Sequence, residues 1–423
     1  MKSKLNLSGS ERERAVLVTL VRRDDAVSPD DALAELTGLA ETAGVEVAGA
    51  IRQVKDTPDP RWLIGKGKVA ELRGEVERLG AGTVIFDEEL SGVQVRNLEE
   101  ALDAKIIDRT QLILDIFARR ARTREGMLQV ELAQLSYLLP RLSGQGKNLS
   151  RLGGGVGTRG PGETKLETDR RHIRRRIGEL KRQLAEVSRH RALHRTRRKK
   201  AGVFQVALVG YTNAGKSTLL RELTGADVFV EDRLFVTLDP LSRALTLPGG
   251  KEIVISDTVG FIRNLPHELV AAFRSTLEEV NEADLLLHVV DAGSPLREER
   301  IRTVERVLGE LGAQDKERIL IFNKIDLCPP EEAALIAAGR DALAVSAFRA
   351  EDIRRIKLAI EERVMGGTAV YRIPVHRGDL IARVYRIGEV TRREADGEEL
   401  LFHVRVDRKA FGEEGRALAE YEA

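Results

Sequence analysis

The chain has 423 residues, a formal net charge of +2, 42% hydrophobic residues and one cysteine, Cys328. A single cysteine excludes an intramolecular disulfide and a cysteine-built metal site, which suits a reducing compartment. No run approaches the ~18 consecutive apolar residues of a membrane helix, and the amino-terminal residues form no apolar signal region, so a cytoplasmic protein with no membrane partner is expected.

In chain order, Ala15–Val21 reads as a strand, and Ser28-Pro29 opens a helix running to about Ala43, with Ser28 as cap. Val45–Val54 is strand-like, Val69–Leu79 helical, Thr83–Asp87 a strand, Val93–Leu102 a helix and Lys105–Asp108 a strand. Strict β/α alternation predicts a parallel sheet with helices on its faces over residues 1–110. From Gln111 to Leu142 the leucine stripe predicts one long amphipathic helix. Gly153–Gly162 is too glycine-rich for helix or strand, and a second helix follows from about Glu163 to Arg195. Residues 111–200 therefore read as a helical hairpin with a glycine-rich tip. Residues 170–200 hold fourteen Lys/Arg against two acids, Glu179 and Glu186. Cations at i,i+4 repel, so this helix calls for a polyanion, RNA above all.

Residues 201–365 carry the chemistry. Val203–Val209 is an apolar strand, and after it come Gly210, Tyr211, Thr212, Asn213, Ala214, Gly215, Lys216, Ser217 and Thr218, which fit G-x-x-x-x-G-K-[ST] at the start of a helix. Such a loop turns successive N–H groups toward the α/β-phosphates of a nucleoside triphosphate. Lys216 reaches the β/γ-phosphates and the Ser217 hydroxyl ligates Mg²⁺. Asn323-Lys324-Ile325-Asp326 follows the strand Arg318–Phe322. The Asp326 carboxylate matches the N1–H and amine of guanine, a donor pair that adenine lacks, so the ligand is GTP or GDP. Ser346 and Ala347 stand where a backbone N–H meets guanine O6. Asp257-Thr258-Val259-Gly260 is D-x-x-G at a strand end. Asp257 is placed to hold Mg²⁺ and Gly260 to offer its N–H to the γ-phosphate. Between these motifs lie Phe235, Val236 and Thr237, and Thr237 is the candidate switch threonine and third Mg²⁺ ligand.

Two details bear on mechanism. The position after D-x-x-G, where Gln orients water in Ras-like enzymes, is Phe261, which predicts slow intrinsic hydrolysis completed by a partner or an ion. Asn213 inside the loop either supports its turn or helps bind a monovalent cation such as K⁺. Beyond Gly366-Gly367, which reads as a linker, the strand-like runs Ile381–Ile387 and Leu400–Val406 around Asp396-Gly397 predict a small tail domain over 368–423.

As a set, Gly157–Asp169, Ile64–Lys68, Phe86–Leu90, Asp108–Thr110, Gly210–Thr218, Phe235–Pro240, Asp257–Ile262 with Leu265-Pro266, and Asn323–Asp326 resemble the HflX family of the Obg–HflX GTPases. The resemblance implies an α/β fold: a P-loop GTPase domain preceded by an N-terminal α/β subdomain and a long helical hairpin, and followed by a small α+β tail domain. It implies a factor that hydrolyses GTP, binds the large ribosomal subunit and its rRNA near the peptidyl-transferase centre through the loop at about 144–163, and helps split idle or stalled ribosomes. It implies stimulation by the ribosome; a monomer is expected. Some members are assigned ATP-dependent RNA unwinding by the N-terminal domain, for which Gly65-Lys66-Gly67-Lys68 is the candidate, and a ribosome-assembly scaffold is a third reading. Two departures stand out: Lys165 where the family tends to Gln, and Phe348-Arg349-Ala350-Glu351 after Ser346-Ala347, without the usual Gly.

Overall fold

The computed structural model describes residues 13–23, 27–142, 165–200, 203–226, 231, 233–265, 279–336, 341–407, 409–411 and 415–423, with backbone alone at 165–166, 190–200 and 334. The glycine-rich tip expected at Gly153–Gly162 and the Pro266 position lie outside them. The chain forms two compact units. One comprises Met1–Arg189, Glu231–Asp239 and Val259–Thr276, the other His190–Val230, Pro240–Thr258 and Leu277–Ala423.

The first unit is built on a four-stranded parallel sheet in the order β2-β1-β3-β4: β1 (Arg14–Val21), β2 (Glu46–Val54), β3 (Thr83–Phe86) and β4 (Lys105–Asp108). Strand β1 is central and buried at every residue after Arg14, which is why it is a nearly unbroken apolar run. Helices α1 (Pro29–Thr42), α2 (Lys66–Leu79) and α3 (Gly92–Leu102) make the crossovers. Ser28 caps α1 through its side chain, with Pro29 in the first turn as expected. Ser91 and Gln94 form a capping box at α3. Leu72, Val84, Phe86, Leu90 and Leu98 are fully buried in the shared core, each contributing roughly 1.5–3 kcal/mol of transfer free energy.

The single long helix expected over 111–142 is two helices, α4 (Arg109–Arg120) and α5 (Arg124–Arg141). The break has a tertiary cause. Asp239 accepts from the backbone N–H of Arg122 (3.0 Å) and Thr123 (2.9 Å), and Thr123 caps α5 by accepting from Gly126 N–H. The Arg122 and Thr123 N–H groups thus find a carboxylate in place of helix carbonyls, and Ala121 turns extended. Helix α6 (Lys165–Lys200) follows, and Arg176 grips Glu131 of α5 with two hydrogen bonds (2.7 and 2.9 Å). Arg174, Arg175, Lys181, Arg182 and Arg189 on α6 are exposed.

A buried ring of alternating charge lies in the same unit. Arg109 donates to Asp87 (2.6 Å), to Glu35 and to the carbonyl of Arg263 (2.9 Å). Arg263 donates in turn to Asp87 (2.8 Å). The Phe235 ring is buried edge-on against Phe117, with centroids 4.8 Å apart.

The second unit holds a six-stranded sheet in the order β10-β9-β8-β5-β7-β6. Its strands are β5 (Gln205–Gly210), β6 (Leu241–Thr246), β7 (Glu252–Asp257), β8 (Leu285–Asp291), β9 (Arg318–Asn323) and β10 (Ala342–Ala344), all parallel to their neighbours except β6. Helices α7 (Lys216–Thr224), α8 (Arg297–Glu310), α9 (Pro330–Ile336) and α10 (Ala350–Val364) complete it. Leu219, Leu220, Val289, Ile321, Ile356 and Ile360 close one face.

The tail is a three-stranded antiparallel sheet, β11-β13-β12, with β11 (Met365–Pro374), β12 (Gly388–Asp396) and β13 (Glu399–Asp407). The hairpin turn at Asp396-Gly397 is present, with Gly397 at φ +66°. Two expectations fail here. Gly366 and Gly367 are not a linker but lie inside β11, at an irregularity in its pairing with β13. Ile381–Ile387 is not a strand but part of helix α11 (Gly378–Ile387), whose buried Leu380, Val384 and Ile387 recur at helical spacing. The β-branched composition of that run points the other way, and periodicity prevails.

Candidate functional site: a phosphate loop pinned to two base loops

Strand β5 is buried at all six residues and ends at Gly210, where the chain turns into the loop that starts α7. Both loop glycines are required. A Cβ on Gly210 would lie 2.2 Å from the carbonyl oxygen of Val289, and one on Gly215 would lie 2.3 Å from Asn323 Nδ2, at a φ of +93°. Asn213 is exposed at φ +60°, a left-handed position that Asn tolerates. Tyr211, Thr212 and Ala214 are buried, and the Arg300 guanidinium carbon stands 5.0 Å from the Tyr211 ring centroid.

Lys216 is buried, and its ammonium donates to the carbonyls of Gly210 (3.1 Å) and Tyr211 (3.0 Å), folding the side chain back over the loop. Burial lowers its pKa to about 8, against an opposing pull from Asp257. Ser217 Oγ donates to Asp257 Oδ2 at 2.6 Å, so β7 and α7 bring two hard oxygen donors together at the loop. That donor set fits Mg²⁺, which takes few protein oxygens and completes its shell with phosphate and water. Among the described residues no group of three or more His, Cys, Asp or Glu converges to hold a metal by itself. Thr258 is fully buried and its hydroxyl donates to Leu208 O (2.7 Å), so its side chain serves the sheet.

Asn323 is the join. Its Nδ2 donates to Ala214 O (3.0 Å) in the phosphate loop, and its Oδ1 accepts from Ala347 N–H (3.1 Å) in the second base loop. One buried amide thereby holds three motifs in register. Lys324, at φ +63°, donates to Asp291 (3.0 Å), and Asp326 is exposed in the 3-10 turn Ile325–Leu327. Ser346 N–H donates to Asp352 Oδ2 at 2.9 Å. Asp291 and Asp352 escaped the sequence reading. Asp291 was detectable as the acid that ends an apolar strand, and Asp352 as an acid in the first turn of a helix.

Not every expected residue falls in this unit. Phe235, Val236, Thr237, Val259, Gly260 and Phe261 belong to the first unit. Thr237 is half-buried there, while Phe261 and Phe235 are each 1% exposed, and Phe235 holds a φ of +55°. The Gly65–Lys68 cluster opens α2: Gly65 N–H donates to Gln53, and Lys68 pairs with Glu71 at 2.8 Å. His288, on β8 beside Tyr211 and Ala214, is buried with its Nε2 unpaired. Burial and the nearby Arg318 and Lys216 lower its pKa to about 3.

Three family models match in succession: "GTP-binding GTPase N-terminal" over residues 30–118, "GTP-binding GTPase Middle Region" over 120–198 and "50S ribosome-binding GTPase" over 205–324. A GTPase HflX from Caldanaerobacter subterraneus subsp. tengcongensis is 56% identical over 85% of this chain and 82% of its own. A GTPase HflX from Escherichia coli is 44% identical over 91% of this chain and 92% of its own. Among solved structures, a GTP-binding protein from the archaeon Sulfolobus solfataricus in complex with GDP aligns at a TM-score of 0.44 and 23% identity, over 82% of this chain and 98% of that one.

Proposed function

The chain belongs to the HflX GTPase family, and from that premise we propose that it is a GTP-driven factor which binds the large ribosomal subunit and promotes splitting of stalled or idle ribosomes. The observation that supports the nucleotide half of this reading is the Asn323 join, which ties the phosphate loop to both base motifs through one amide. Lys216 would leave the Gly210 and Tyr211 carbonyls for the β- and γ-phosphates, gaining full charge as it does so. Ser217, Asp257 and Thr237 would hold Mg²⁺, which when bound neutralises charge on the transferring phosphoryl group. Asp326 would accept from the guanine N1–H and amine, and the Ala347 N–H, which bonds Asn323 Oδ1 at 3.1 Å, would be shared between that oxygen and guanine O6. Thr237 and Gly260 would report the γ-phosphate, so that the triphosphate state grips rRNA and hydrolysis releases it. Phe261 offers no hydrogen bond to water, which leaves the intrinsic rate slow and gives the ribosome a step to complete. Asn213 would add a K⁺ ligand; equal turnover in K⁺ and Na⁺, unchanged by Asn213→Ala, would remove that element.

The exposed cations along α6 support the rRNA half, and no helix among the described residues is long and apolar enough to cross a membrane. The test combines two measurements on the full chain. GTP turnover should rise on adding large subunits, less so for a variant lacking Gly153–Gly162. Mixing with assembled ribosomes and GTP should raise the free-subunit fraction. Stimulation without splitting would favour a scaffold role, and turnover indifferent to ribosomes would overturn the reading.

A further inference from the structure

We propose that Phe348 is a base-covering residue, stacking on one face of the guanine ring and setting nucleotide affinity. The inference deepens the nucleotide reading above and rests on it. Four successive backbone N–H groups around Phe348 have partners within the protein. Ser346 N–H goes to Asp352 (2.9 Å), Ala347 N–H to Asn323 (3.1 Å), Phe348 N–H to Ser346 Oγ (3.4 Å) and Arg349 N–H to Ser346 O (3.0 Å). A turn held by four such bonds fixes the Cα–Cβ direction of Phe348. That side chain is 73% exposed, the highest value among the large hydrophobic residues described.

A single exposed hydrophobe is ordinary on a protein surface. Position separates this one. Phe348 directly follows the Ser346-Ala347 backbone that would meet guanine O6, and the amide N–H beside it is bonded to Asn323 of the other base loop. Leu327, the residue after Asp326, is 70% exposed, so each base motif ends in an uncovered apolar side chain. The Lys324 ammonium is drawn to Asp291 (3.0 Å), and its stem would cover one face of the base. A planar purine has a second face to cover. Among the described residues between the phosphate loop and Thr237 the aromatic is Phe235, and its ring is 1% exposed and packed on Phe117. Phe348, the exposed aromatic beside the base motifs among the described residues, would supply that wall, and π-stacking needs only a flat heterocycle. Base identity would stay with Asp326, and Phe348 would contribute affinity to any purine nucleotide that the loop admits.

The experiment is calorimetric titration of the full chain with GDP and, separately, with inosine diphosphate, which lacks the exocyclic amine. For Phe348→Ala, both affinities should fall by a similar factor of roughly ten to one hundred, the range of aromatic–base stacking. Phe348→Trp should restore affinity, and GDP should quench the new indole, read as a difference from wild type because the chain has one native tryptophan, Trp62. Phe348→Ala binding GDP within about twofold of wild type, or an introduced indole whose emission is indifferent to bound GDP, overturns the proposal while leaving the nucleotide reading intact. Failure of the wild type itself to bind GDP overturns both.

Discussion

Replacing Asn323 with alanine tests the join on which the site depends. The side chain is 1% exposed and makes two bonds, to Ala214 O at 3.0 Å and from Ala347 N–H at 3.1 Å. Truncation leaves a buried carbonyl and a buried N–H, each costing about 1–3 kcal/mol if unpaired. Water entering the vacated space recovers part of that, so about 3 kcal/mol is a reasonable net. The cost falls on the arrangement of loops that binds nucleotide, because the sheet beneath is held by its own ladder and core. At about 1.4 kcal/mol per factor of ten, GDP affinity should drop roughly 150-fold, with a much smaller change in the denaturation midpoint of the nucleotide-free chain. Asn323→Asp separates the two bonds. Its carboxylate still accepts from Ala347 but faces the Ala214 carbonyl oxygen without a proton to share, so affinity should be poor at neutral pH and improve on acidification. The assay is calorimetric or fluorescence titration with GDP, alongside denaturant unfolding. Binding of Asn323→Ala within about threefold of wild type would refute the idea that one amide holds the three motifs together.

Three further outcomes are expected. Lys216 has its pKa lowered to about 8 by burial, and phosphate binding needs its cation, so GDP affinity should fall about tenfold per pH unit above 8, a break that Lys216→Arg should abolish. With no nucleotide the sign reverses for stability: the unfolded lysine binds its proton more tightly, so this group makes the fold gain stability as pH rises from about 8 to its ordinary value of 10.5. His288, lowered to about 3 from 6.5, is neutral when folded, so its contribution is fully present above pH 6.5 and is lost as pH falls toward 3. That loss is about 2 kcal/mol at about pH 5, and a His288→Leu variant should show a flatter acid limb in denaturant titrations; an unchanged limb would refute the assignment. Arg109→Ala leaves Asp87, whose side chain is 2% exposed, with Arg263 as its remaining cation, and should destabilise the unit that contains them by up to about 3 kcal/mol, whereas the Arg109→Met, Asp87→Leu pair should recover much of it. Equal unfolding midpoints for Arg109→Ala and wild type would count against a buried charge ring.

Much of this protein is legible in its residues because several of its demands are local. The caps at Ser28 and Ser91, the alternation of β1 through β4, and the glycines at 210 and 215 follow from backbone geometry that few residue types satisfy. The ligand class was legible for the same reason: a phosphate loop after a buried strand, and an Asn-Lys-x-Asp turn after another, are short motifs whose chemistry is complete within a few residues. What the sequence could not settle depends on partners far along the chain. The helix break at Arg122-Thr123 is made by Asp239, more than a hundred residues away, and α11 looked like a strand until its helical stripe met the tail sheet. Asn323 was legible as a member of a motif, but not as the amide that ties Ala214 to Ala347. Phe235 and Phe348 were both aromatic residues beside a nucleotide motif. Only tertiary packing buried the first against Phe117 and left the second exposed beside the base loops. Sequence determined which ligand this chain can hold, because that chemistry is written in contiguous residues. The folded structure decided which side chains remain free to hold it, because burial is a property of neighbours brought together from afar.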